Sequence, residues 1–351
     1  MRALRWAMLV SVAGLLAGCA PLGYYWQSVS GHLNMVRAAR PVQDWLDDPA
    51  TPADLRERLQ LAQQMRVFAV TELALPDNAS YRRYADLKRP AAVWNVVATT
   101  ELSLELKTWC FPVLGCVGYR GYFDRAQADA LAAELKAQGW ETYVYGVPAY
   151  STLGKLPGDW LADPLLNTFV KGGEVELARL IFHELAHQVA YAQDDTRFNE
   201  SFATAVERIG SDRWMRQRAD PALRQGAELD DRRRAQFREL AMSAREELLQ
   251  VYRSSATDEA RRQGRREVLE RLRQRHQALK AGEWQGYTGY DRWFATVGNP
   301  QLALLSAYHS GVADFERLFE RQGREFPRFY AEVRRLAALP KAAREAVLRQ
   351  P

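Results

Sequence analysis

Apolar residues recur at helical spacing from Tyr24 to about Leu75, as in Leu55, Leu59, Leu61, Met65, Phe68 and Leu73, with breaks at Pro41 and Pro52. That pattern predicts several helices. From Ala91 the texture turns to β-branched and aromatic residues in short runs at 92–98, 117–123 and 141–147, which read as strands. Residues 126–138, closed by Gly139, read as a helix joining the last two. A turn-rich stretch at 149–154 leads towards a strongly periodic helix over about 174–192, and a short loop connects it to a second helix over about 199–214. Beyond Pro221, one apolar stripe (Phe237, Leu240, Ala244, Leu248, Val251) and another (Ala260, Gly264, Val268, Leu272, Leu279) flank a break at 254–258. They predict two long helices packed as a hairpin, with their charged faces in solvent. Further helices run from about Asn299 to Arg349. The expected fold class is α+β and mostly helical: a small antiparallel or mixed sheet, a helix pair, then a helical C-terminal region containing the long hairpin. The organisation divides into 1–18, 19–90, 91–215, 216–285 and 286–351.

Composition narrows the class. Of 351 residues, 47% are hydrophobic and 26% charged, which excludes a disordered, collagenous or polytopic membrane protein. Lys and Arg total 48 against 43 Asp and Glu, and this mild excess is spread along the chain, so charge calls for no nucleic-acid partner. Arg2 and Arg5 precede an apolar run at 7–16 that is too short to span a bilayer and reads as an export signal. Leu16-Ala17-Gly18-Cys19 resembles the bacterial lipobox. The resemblance implies removal of residues 1–18, a lipid on the Cys19 thiol and a membrane anchor there; an ordinary cleaved signal with a chance Cys is the alternative. Losing Arg2 and Arg5 leaves about +3 on the mature chain. Cys110 and Cys116 then remain, closing a short loop with Pro112 and Gly115. In an oxidising compartment they read as a disulfide, and otherwise as a reduced buried pair.

The chemistry concentrates in Ile181-Phe182-His183-Glu184-Leu185-Ala186-His187-Gln188, inside the periodic helix. Residues i and i+4 share a helical face, so His183 and His187 can direct ring nitrogens at one ion. Glu184, one step round, can reach a water on that ion. A third ligand is required, and Glu200 supplies it: Phe198-Asn199-Glu200-Ser201-Phe202-Ala203 opens the next helix, where an antiparallel return brings it opposite the His pair. Two His and one Glu leave a position open for water, the arrangement of a catalytic zinc, one per chain. Glu207, two turns after Glu200, can orient a zinc-bound His or be a surface charge. Asn199 reads as a helix cap, and His32 and His276 as solvated or locally bonded.

The run from Asn199 to Glu207 resembles the Asn-Glu-Gly-Phe-Ala segment of one-zinc gluzincin aminopeptidases, and 183–188 resembles their zinc helix. Here twelve residues separate His187 from Glu200, a shorter interval than theirs. Trp94-Asn95-Val96, Trp109-Cys110-Phe111-Pro112, Tyr119-Arg120-Gly121-Tyr122-Phe123, Asp163-Pro164-Leu165 and the zinc motifs together resemble a bacterial family of exported aminopeptidases, often lipoproteins. The resemblance implies a zinc metallopeptidase acting on a peptide or protein substrate. Glu184 would serve as general base, since zinc lowers the pKa of a bound water to about 7. It further implies a downstream Tyr or His over the zinc as oxyanion donor, for which Tyr308 and His309 are the candidates, with packing as the alternative for Tyr308 and with Tyr287 and Tyr290 as weaker rivals. An edge strand over 143–153, including Tyr150, Ser151 and Thr152, would hold substrate or else be a core strand. The amine-binding Gly-x-Met-Glu-Asn motif of aminopeptidases is absent from the sequence. Ala20 after Cys19 implies the outer membrane, facing the periplasm. Two other readings are a metal-binding envelope interaction lipoprotein without hydrolytic activity and a zinc amidohydrolase on cell-wall material.

Overall fold

The computed structural model describes residues 23–111, 115–149, 159–309 and 311–349, with the side chains of residues 115, 160 and 307–309 excepted. Residues 1–22, Cys19 among them, and Tyr150, Ser151 and Thr152 lie outside the described residues. The chain opens with helix α1 (23–38), followed by β1 (Arg40–Pro41), α2 (Val42–Asp47) and α3 (Ala53–Thr71). Pro52 precedes α3, which buries Leu55, Leu59, Ala62, Met65 and Phe68. The fold is 63% helical with small sheets, a mostly helical α+β architecture. Among the described residues no helix is long and apolar enough to cross a membrane.

Strand β2 (Arg83–Ala85) pairs with β1 and, in parallel, with β8 (Leu165–Leu166). The principal sheet has the order β6 (Arg120–Tyr122), β3 (Val93–Thr99), β7 (Glu141–Val147), and both pairings are antiparallel. Between β6 and β7 runs α4 (Arg125–Ala137), capped by Asp124 accepting from Ala126 N and stopped at Gly139, whose φ of +87° suits glycine. Its Ala128, Ala132 and Leu135 cover Val96 and Ala98 of the sheet. Beside it β4 (Trp109–Phe111) and β5 (Gly115–Val117) form a two-stranded ribbon whose facing residues Cys110 and Cys116 are joined as a disulfide.

Helices α5 (Glu174–His187) and α6 (Thr196–Arg218) make the most extensive helix contact in the molecule and pack with α3. Next comes the hairpin of α7 (Pro221–Arg253) and α8 (Asp258–Ala281), broken where Ser254 and Thr257 cap the facing ends. The segment from 286 onward divides between two apolar cores. Phe294 of α9 (Asp291–Thr296) and Leu302 and Ala303 of α10 (Asn299–His309) join the hairpin residues Leu240, Leu248, Val268 and Leu272. Phe315 of α11 (Val312–Arg321), Phe329 of α12 (Phe326–Ala337) and Leu348 of α13 (Lys341–Leu348) instead join the core of α3, α5 and α6. Besides these and the cluster under α4, a minor one of Val175, Met215 and Ala227 lies where α6 turns into α7. Beside these cores lies a large cavity that opens to the surface.

Candidate metal centre

Helix α5 is amphipathic in a way that decides which side chains reach the cavity. Leu177, Ala178, Ile181, Phe182, Leu185 and Ala186 are sunk in the main core, which leaves His183, Glu184 and His187 on the opposite wall. The helix stops at His187, short of the expected 192, and the Gln188 side chain bonds Asn78 (2.6 Å) and Ser80 (3.1 Å) instead. That loop is wrapped around buried Arg66, which donates to the carbonyls of Pro76, Asn78 and Ser80. It ends at Tyr81, a buried residue with φ of +64°. Burial, and then the charges of Glu184 and Asp163, push the Tyr81 phenol well above its usual pKa, so this ring sits close under the base candidate.

Helix α6 begins three residues earlier than expected. Asp195 caps it, accepting from Phe198 N at 3.1 Å, and Arg344 of α13 holds the same carboxylate at 3.2 Å. Asn199 is therefore not the cap. Its amide bonds the N–H and the carbonyl of Ala192, both at 2.8 Å, and so closes the loop between the two helices. A side-chain amide that both donates and accepts can clamp a loop backbone, whereas the Asp carboxylate suits the orphan N–H groups of a helix start.

The clamp brings Glu200 opposite the His pair. His183 Nε2 lies 3.2 Å from His187 Nε2 and 3.3 Å from Glu200 Oε2, and His187 Nε2 lies 3.7 Å from Glu200 Oε1. A tetrahedral ion with bonds of about 2.0–2.1 Å has ligand-to-ligand edges of roughly 3.3 Å, and these separations match that figure. Among the described residues this is the one group of three or more His, Cys, Asp or Glu converging so closely. The donor set, two imidazoles and a carboxylate, suits zinc. Glu207 Oε2 stands 3.1 Å from His183 Nδ1, on the far side of the ring. Burial acts against charge on both rings. At His183 the carboxylates of Glu200 and Glu207 outweigh it and raise the pKa well above the ordinary value. At His187 burial prevails over Glu200 and, with the adjacent His183, lowers the pKa to about 4.

The trio lines a cavity of 1470 Å³, larger than the roughly 300–1,000 Å³ typical of small-molecule sites. Glu184, Tyr191 and Thr204 share its wall with the trio, Asn95, Tyr145 and Val147 enter from the sheet, and Leu304 and Leu305 from α10. Tyr308 and His309 form the end of α10, with their side chains outside the described residues. Tyr287 and Tyr290 do not line the cavity. Tyr290 stacks on Phe237 at 4.4 Å and Tyr287 packs against Trp284 in the hairpin core, because aromatic burial prevails over the loop signal of their flanking glycines. His276 is buried with its ring stacked on Phe294 at 4.0 Å, and His32 is buried as well; neither is solvated.

Sequence reasoning missed two parts of the site. Tyr191, whose phenol is raised by burial and by the charges of Glu200 and Asp194, lies in a loop that carried no motif. The charged face of α7 was expected in solvent, yet Asp231, Arg234 and Arg238 line the cavity; helical periodicity separates apolar from polar faces but cannot distinguish bulk water from a cavity.

No curated protein and no solved structure matches the chain. A family model described as "Putative aminopeptidase" matches residues 23–348. The match takes in every helix around the cavity, and the chain belongs to this aminopeptidase family.

Proposed function

We propose that the protein is a zinc metallopeptidase, with one zinc held by His183, His187 and Glu200. The observation that carries this reading is the convergence of those three side chains at tetrahedral spacing, with Glu184 on the same cavity wall. When bound, zinc would act as a Lewis acid on the peptide carbonyl and make water easier to deprotonate near neutral pH. Glu184 takes a proton from the attacking water and delivers it to the leaving nitrogen. Glu207 keeps the His183 ring turned so that Nε2 faces the ion site. Tyr308 and His309 are the proposed donors to the developing oxyanion, on a helix whose Leu304 and Leu305 line the cavity. Strand β7 is an edge of its sheet and lends Tyr145 and Val147 to the same wall. We assign substrate to that edge as an added strand running on past Tyr150, Ser151 and Thr152. The aminopeptidase reading follows the family to which the chain belongs.

The anchor is placed at Cys19, on the outer membrane facing the periplasm. Close after it, Tyr25, Val29 and Trp26 are among the few exposed large apolar residues, Trp26 at 74%, and aromatic side chains are favoured at a lipid–water interface. A purely structural metal would need no base beside it, so the intact Glu184 favours hydrolysis over an interaction role.

The test uses the full-length chain in mild detergent. About one zinc per chain is expected, lost in His187→Ala and kept in Glu184→Gln, with cleavage of a mixed peptide pool abolished in both. Single residues released from N-termini would establish the aminopeptidase form. Full zinc retention by His187→Ala would overturn the ligand assignment.

A further inference from the structure

We propose that Arg238 of α7 and Arg208 of α6 form a carboxylate-binding subsite in the cavity, so that the substrates are short peptides held by their C-terminal carboxylate. This rests on the peptidase reading above and adds a substrate class to it.

The cavity's arginines are not equivalent. Arg179 is paired with Asp231 at 2.7 Å, Arg234 with Glu176 at 3.1 Å, and Arg216 with Asp212. Among the described residues Arg224 and Arg238 line the cavity with no carboxylate within ion-pair distance; Arg224 is exposed, whereas Arg238 is half-buried. Two cations, Arg208 and Arg234, act against its charge, while Tyr290 and Asp231 act in its favour. After burial, the charge of Arg208 is the strongest influence acting against its own, and Arg234 adds to it. Arg208 has a single partly exposed partner, Glu316 at 3.3 Å. Two guanidinium groups lining one cavity, each disfavouring the other's charge, are costly there unless an anion joins them. The planar guanidinium fork fits a carboxylate better than it fits a point anion.

Spacing sets the length of peptide. Arg208 follows Glu200 by eight residues on α6, which places it about 12 Å along the helix from the metal ligand. An extended peptide rises about 3.3 Å per residue, so some three or four residues bridge the reacting bond and the arginines.

The experiment measures binding, so it does not depend on turnover. Full-length Glu184→Gln protein, loaded with zinc, is titrated calorimetrically with three forms of one tetrapeptide: the free acid, the C-terminal amide, and the amide carrying a glutamyl side chain at the last position. The free acid is expected to bind at least tenfold more tightly than the plain amide. Adding Arg238→Met should bring that ratio close to one, and Arg238→Lys should keep part of it. Equal binding of acid and amide, no binding of either, or an undiminished ratio in Arg238→Met would overturn the proposal. Tight binding by the glutamyl amide alone would overturn the C-terminal assignment in favour of an acidic side chain. If Arg238→Met loses zinc or helical circular dichroism, Arg208→Met and the acid-to-amide ratio of the Arg238-intact protein still decide. Acid preference together with a hydrolytically inert wild type would refute the peptidase reading while leaving the subsite standing.

Discussion

The carboxylate of Glu207 stands 3.1 Å from Nδ1 of His183, directly behind the face on which Nε2 meets His187 and Glu200. This relationship fixes the tautomer: Nδ1 donates to the carboxylate, and the Nε2 lone pair is left for the ion.

Zinc affinity should therefore depend on Glu207. Glu207→Ala is expected to weaken it by about 10–100-fold, while Glu207→Gln, which can still accept from Nδ1, should lose less. Competition titration against a chelator reads the affinity directly. An unchanged value in Glu207→Ala would show that Glu207 is only a surface charge. Added zinc should also raise the unfolding midpoint of the wild type with the logarithm of its ratio to Kd, and this response should vanish in His187→Ala.

Asp195 and Arg344 form a buried pair at 3.2 Å that ties the start of α6 to α13. Removing one partner strands the other charge, so Arg344→Met should destabilise the fold by about 3–5 kcal/mol. Denaturant unfolding measures the loss. A change under about 1 kcal/mol would mean that water replaces the guanidinium at little cost.

Gly31 of α1 faces the Phe123 ring so closely that a Cβ would stand 2.3 Å from ring carbons. The ring is braced, because Phe123 N donates to Gln27 on the same helix at 3.1 Å. Gly31→Ala should thus cost about 1–3 kcal/mol through overpacking, whereas an alanine at Gly226, where no atom lies within 4 Å, should be neutral or stabilising. Thermal unfolding of the two variants separates the cases.

Burial lowers the His276 pKa, with Asp291 opposing the shift and Lys280 adding to it. The folded chain then takes up this proton less readily than the unfolded chain, so stability falls as pH drops below the unfolded value of about 6.5 and is flat above it. His276→Leu should flatten that part of the curve, seen as a smaller difference between unfolding midpoints at pH 5 and pH 7. An identical pH slope in the variant would assign the effect to other groups.

The His183, His187 and Glu200 set was legible because an i, i+4 pair on a helix has fixed geometry and a short loop constrains the return. What escaped notice depended on competition between neighbours. Asp195 and Asn199 are both good helix caps, and only the position of Arg344, 149 residues away, gives the role to Asp195. Tyr287 and Tyr290 have the sequence surroundings of a mobile loop, yet Phe237 and Trp284 draw them into a core. Arg238 lies on a helix dense in charge, and the periodicity of that helix does not show that this face lines a cavity.

The turn from α6 into α7 has a mechanical consequence. The two walls meet at Val175, Met215 and Ala227, beside Ala219 with its φ of +51°, and beyond this vertex ion pairs rather than apolar packing connect α5 to α7. Arg238 lies eleven residues past Ala227, a lever arm of about 16 Å, so each degree of rotation at the vertex moves the guanidinium by roughly 0.3 Å. Because α7 is packed against α8 and α10, that core as a whole holds the span between the arginine and the metal ligands.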